Sequence, residues 1–152
     1  MTIHIPSNNR QVGEINFSNN TDVTSISNLN EWTVINVSNW DGNSSNYGFE
    51  LHSDNKSLKY TYNTQKTVVC YLDAQILAAT NNVDFEFGIF LNNVLQPLSV
   101  FSFNYKTIPI ASSHIYVFKI NKDDLMEMRV RNISDSTNVT VQHADITCWT
   151  TN

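Results

Sequence analysis

The chain has 152 residues and a formal net charge of −5 at pH 7, enough for one domain with a substantial core and too little for two. Its 41% hydrophobic and 15% charged residues exclude a disordered chain. Its nine scattered Lys and Arg argue against nucleic acid as a partner, and apolar runs of only four or five residues argue against a membrane span.

Asn, Ser and Thr make up 51 residues, and β-branched plus aromatic residues outnumber the straight-chain helix formers by 57 to 36. Both facts predict an all-β chain. Residues 1–30 are polar and hold isolated apolar positions (Ile3, Ile5, Val12, Ile15, Phe17). They read as an arm, or as an extension covering a sheet edge, ahead of a domain over 31–152. The N-terminus has no apolar h-region, so no signal peptide is expected.

From residue 31 the chain alternates with a period of two. Trp32–Ser38 sets Val34 opposite Ile35 and Val37, and a loop containing Trp40, Asp41, Asn43 and Tyr47 follows. Ser57–Asn63 carries Leu58, Tyr60 and Tyr62 on one side. Thr67–Leu77 gathers Val68, Cys70, Leu72, Ala74 and Ile76 on one face, with Val69, Tyr71, Asp73 and Gln75 on the other. Asp84–Leu91 turns Phe85, Phe87, Ile89 and Leu91 inward. Strands at Ser99–Tyr105, His114–Ile120 and Leu125–Asn132 come next. Between Val139 and Trp149 the apolar parity switches near Gln142 and His143, which predicts a bulge or turn. With only four Gly and three Pro, paired Asn residues are expected to make the turns, because Asn tolerates left-handed backbone. Many short strands separated by such turns predict a sandwich or barrel.

The residue types that carry chemistry are dispersed. His4, His52, His114 and His143 have no metal-binding spacing, so neither a metal nor another cofactor is expected. His143 and Asp145 share a strand face but adjoin no nucleophile motif, and read as a polar surface pair. Asp123-Asp124 lacks the flanking oxygen ligands of a calcium loop and reads as a solvated connection. Seven Asn-x-Ser/Thr sequons occur, a modest excess over chance that does not establish glycosylation. No acid–base or nucleophile constellation suggests an enzyme.

Aromatic residues outside the core parity carry the strongest interaction signal. Tyr71, Phe90 and Trp149 point away from the faces of Cys70, Phe87 and Cys148. Exposed aromatic patches mark interfaces, so these residues are expected to line a subunit contact unless the N-terminal arm folds over them. Glu127, Arg129 and Arg131 line one face of their strand, either as a polar outer surface or as an intersubunit ladder of ion pairs.

Three segments have a family look: Asp84-Phe85-Glu86-Phe87-Gly88-Ile89-Phe90-Leu91-Asn92-Asn93, Asp123-Asp124-Leu125-Met126-Glu127-Met128-Arg129-Val130-Arg131-Asn132, and Asn138-Val139-Thr140-Val141-Gln142-His143-Ala144. Their order resembles the trimeric jelly-roll domains of the tumour necrosis factor and complement globular-head type, as found in phage and large-virus structural proteins. Asn93 stands where that pattern has Gly, and Asp123-Asp124 where it has Gly-Asp. The resemblance implies an antiparallel β-sandwich of TNF-like jelly-roll form. It implies a non-enzymatic homotrimer at the virion surface: a capsid decoration, head fibre or fibre tip, assembled in the host cytoplasm. Its partners would be its own copies and capsid, portal or tail proteins, with Ile3, Ile5, Val12, Ile15 and Phe17 docking the arm. The alternative is a lectin-like or receptor-binding module using Trp40, Asp41, Asn43 and Tyr47 on a host-surface glycan. The resemblance also makes the strands of Cys70 and Cys148 neighbours; cytoplasmic assembly favours two free core thiols there.

Overall fold

The computed structural model describes residues 10–43, 46–106 and 110–151. Among the described residues, twelve strands run in order: β1 (Val12–Phe17), β2 (Thr33–Val34), β3 (Asp41–Gly42), β4 (Phe49–Leu51), β5 (Leu58–Tyr60), β6 (Lys66–Ala78), β7 (Val83–Leu91), β8 (Val94–Leu95), β9 (Phe101–Tyr105), β10 (Ile110–Ile120), β11 (Leu125–Asn132) and β12 (Val139–Thr150). One 3-10 turn, Pro97–Ser99, starts on its proline. Every strand pairing is antiparallel. The first sheet has the order β10-β6-β12-β1-β3. The second follows β4-β5-β11-β7-β8, with β2 also on β11 and β9 also on β7. This is the jelly-roll sandwich expected from the sequence.

The period-two faces meet between the sheets. β6 contributes Val68, Cys70, Leu72, Ala74 and Ile76, each with no exposed surface, and β7 contributes Phe85, Phe87 and Ile89 in the same state. Met126, Met128 and Val130 of β11, beside β7 in the second sheet, face β6 across the core, while Phe101 and Phe103 of β9 pack on Phe87 at 5.6 and 5.1 Å. The parity switch in the last strand is a register shift between Val141 and His143. It lets Val139 and Val141 share the core with Ala144, Ile146 and Cys148.

Asparagine does make the turns. Asn19, Asn55 and Asn82 have φ near +57°, and Asn92 and Asn93 have φ of 50° and 66°. Two successive left-handed residues form the tight β7–β8 hairpin whose twist matches the strands. Gly48, at φ +76°, is required for space as well, since a Cβ there would sit 2.3 Å from Gln11 Cγ.

Two expectations are corrected. The 1–30 segment is not simply an arm, because β1 is a full member of the first sheet, pairing Val12–Phe17 with Trp149–Ala144. Ile15 and Phe17 are buried in the chain's own core and cannot dock elsewhere; Ile26 is buried too. Val12 is on the outward side of the same strand, and Ile3 and Ile5 lie outside the described residues. The cysteines are not free thiols: Cys70 and Cys148 are register partners on β6 and β12, with Cα atoms 4.2 Å apart, and form a disulfide. Both sulfurs pack 3.9 Å from Met126 Sδ.

Candidate functional site

The outward face of the first sheet carries a band of apolar side chains. Because β1, β6, β10 and β12 send alternate residues into the core, their other residues form rows across the sheet. One row reads Val117, Val69, Trp149, Val12, continued by the bridge from Val12 to Tyr47. The next reads Ile115, Tyr71, Thr147, Glu14. Ile115 is 61% exposed and Val117 53%, while Tyr71, Val69 and Trp149 are half-buried. The edge strand β10 extends the band outward, and Tyr47 stands beside Tyr62 at a centroid distance of 6.1 Å.

One row further, the chemistry changes. Ser113, Asp73, Asp145 and Asn16 lie opposite one another in register, and Asn16 also faces Asp41. The ion-pair contact of His143 is with Asp73, from which its Nε2 lies 3.8 Å. Thr147 Oγ1 donates to Asp145 at 2.6 Å. Burial holds the Asp145 carboxyl above the usual carboxylate range, and the charges of Glu14 and Asp73 add to it, outweighing the Thr147 bond and the nearby imidazole.

Of the expected subunit-contact residues, Tyr71 and Trp149 share this face. Phe90, Glu127, Arg129 and Arg131 lie on the opposite side of the molecule, on the outer face of the second sheet, and are engaged within the subunit. Phe90 is only 6% exposed, because the Arg129 guanidinium covers its ring at 4.3 Å and Trp32 meets it edge-on at 5.5 Å. Arg129 also pairs with Glu127 at 2.6 Å. Arg131 donates to Glu86 at 2.7 Å and covers Trp32 at 4.6 Å. Gly88 makes room for this layer, since a Cβ there would come within 3.0 Å of Trp32. The six residues therefore do not share one face of the subunit, and the four on the second sheet pack with the β2 segment against β7 and β11.

The glycan-binding reading also loses its main element. Trp40 is 2% exposed and packs edge-on against Phe17 at 4.7 Å, so no sugar ring can stack on it. Asp41, Asn43 and Tyr47 are exposed, and the Asn43 amide donates to Glu14 at 2.6 Å. Asp123 and Asp124 form a solvated turn, Asp123 pairing with Lys59 at 3.1 Å and Asp124 accepting from Asn121 N. Among the described residues, no group of three or more His, Cys, Asp and Glu could hold a metal ion. No helix among them is long and apolar enough to cross a membrane.

The sequence reading missed Ile115 and Val117. Their signal was two β-branched residues alternating with His114, Tyr116 and Phe118, legible once Phe118 is known to face inward.

No family model and no curated protein matches the sequence. Solved structures do match over most of the chain. The PRD1 vertex protein P5 aligns with a TM-score of 0.63 at 10% identity, over 93% of this chain and 97% of that one. Eiger TNF from S. frugiperda aligns at 0.59 and 10% identity, over 93% and 94%. Murine APRIL aligns at 0.58 and 10% identity, over 91% and 98%. At this identity the likeness concerns the fold, which is the TNF-like jelly roll.

Proposed function

We propose that this chain is a non-enzymatic virion structural protein, a homotrimeric TNF-like jelly roll at the particle surface that associates through the outward face of its first sheet. The apolar band over β10, β6, β12 and β1 carries the reading. Val117, Val69, Trp149 and Val12 in one row, with Ile115 and Tyr71 beside them, gain hydrophobic free energy only when another surface covers them. The likeness to a vertex protein supports the virion setting. In a ring of three, this face of one copy would meet a different surface of the next, head-to-tail around a closed axis. Attachment to capsid, portal or tail proteins then falls to the segment preceding β1, through Ile3 and Ile5.

Light scattering of the full chain at micromolar concentration tests the assembly, with about three times 17.3 kDa expected. Trp149→Asp should give the monomer mass with retained sheet structure, since a charge buried unpaired at the contact costs several kcal/mol. A wild-type monomer, or a Trp149→Asp trimer, would refute the interface.

A further inference from the structure

We infer that assembly through this face takes up protons, so that copies of the chain associate more tightly at pH 5 than at pH 8; the inference rests on the assembly reading above. The observation is the position of the acidic row. Asp73 and Asp145 are register partners two residues along their strands from Tyr71 and Thr147, about 7 Å from the apolar row. A subunit that covers Tyr71 must also cover or crowd the two carboxylates.

The charges that face this pair are unbalanced. β1 contributes Glu14, which the Asn16 and Asn43 amides already engage, and β3 contributes Asp41 opposite Asn16. β10 contributes the neutral Ser113 opposite Asp73. β12 adds the His143 imidazole, 3.8 Å from Asp73, and Lys119 of β10 lies three residue rows away from Ser113 on the far side of the apolar band. Among the described residues of these strands, no arginine or other lysine is presented on this face. Two adjacent carboxylates removed from water cannot both stay ionised cheaply. Burial and neighbouring charge already push the Asp145 carboxyl up in the single subunit. Covering the face extends that cost, and a proton bound by the pair relieves it.

The sign follows from linkage. The assembled state holds the extra protons, so association strengthens as pH falls toward the carboxylate range and weakens as it rises. If each subunit takes up one proton, the concentration at half-assembly falls by up to about thirtyfold per pH unit within the titrating window.

Sedimentation equilibrium of the full chain at pH 5, 6, 7 and 8, at one ionic strength, reads this directly. The expected result is a half-assembly concentration that drops steadily with pH, and an Asp73→Asn, Asp145→Asn double variant that assembles at pH 8 as tightly as the wild type at pH 5. The amide oxygen at position 145 still accepts from Thr147, so the variant keeps its local bonding. A trimer whose midpoint ignores pH overturns this inference and leaves the assembly reading standing. A chain that stays monomeric at every pH overturns both.

Discussion

Phe17 decides whether the N-terminal segment is a structural strand or a dispensable arm. Its ring is 3% exposed, meets Trp40 edge-on at 4.7 Å, and sits on a strand whose pairing places it opposite Ala144. Phe17→Ala removes the transfer free energy of a buried aromatic, about 1.5–3 kcal/mol, and about 0.5–1.5 kcal/mol of ring–ring interaction. The remaining cavity adds to both, for about 3–5 kcal/mol in all. Against a total stability of about 5–15 kcal/mol, that is a large share, and the melting temperature should fall by on the order of 10 °C. Urea denaturation followed by tryptophan fluorescence is well matched to the question, because Trp40 is itself the partner of the lost ring. Ser18→Ala, exposed and one residue beyond the strand, is the control and should stay within about 0.5 kcal/mol. Equal urea midpoints for Phe17→Ala and Ser18→Ala would show that β1 does not belong to the folding unit.

Two further perturbations test the core and a surface turn. Reducing the Cys70–Cys148 disulfide, which closes a segment of sequence separation 78, should lower stability by up to about 4–5 kcal/mol through the greater freedom of the unfolded chain; alkylation of two thiols in the unreduced, unfolded protein would show the bond was never there. Asp54 should make stability depend on acid. Burial raises its carboxyl pKa, but the N–H groups of Lys56 and Ser57, the Ser57 hydroxyl and His52 together hold it below the usual range. A depressed carboxylate stabilises the fold above its unfolded value and loses that contribution as pH falls through the folded one. The stability gap between wild type and Asp54→Asn should therefore be widest near neutrality and close below about pH 4; a gap that does not change with pH would refute it.

Much of the fold is legible from parity alone. The run from Val68 to Ile76, the inward Phe85, Phe87 and Ile89, and the switch between Val141 and Ala144 each announce which side of a strand is buried. Asn92 and Asn93 announce the turn between two strands. These features are local: a side chain's face is set by its position in a two-residue repeat, and a turn by the backbone its residues tolerate. Strand membership of Ile15 and Phe17 was harder to read, because six residues hold too few repeats and the partner, β12, lies at the other end of the chain. The candidate site was legible only in part for a related reason. Parity places Tyr71, Phe90 and Trp149 off the core face, yet it cannot say which sheet each strand joins. The order β10-β6-β12-β1-β3 gathers Tyr71 and Trp149 with Ile115, Val117 and Val12 into one band, whereas β11 and β7 carry Arg129 and Phe90 to the opposite side, where Trp32 meets the Phe90 ring. The same long-range pairing set Cys70 opposite Cys148 and Asp73 opposite Asp145. Alternation along a strand is a property of the residues themselves, but a row across a sheet exists only after strands distant in sequence have chosen their neighbours and their register.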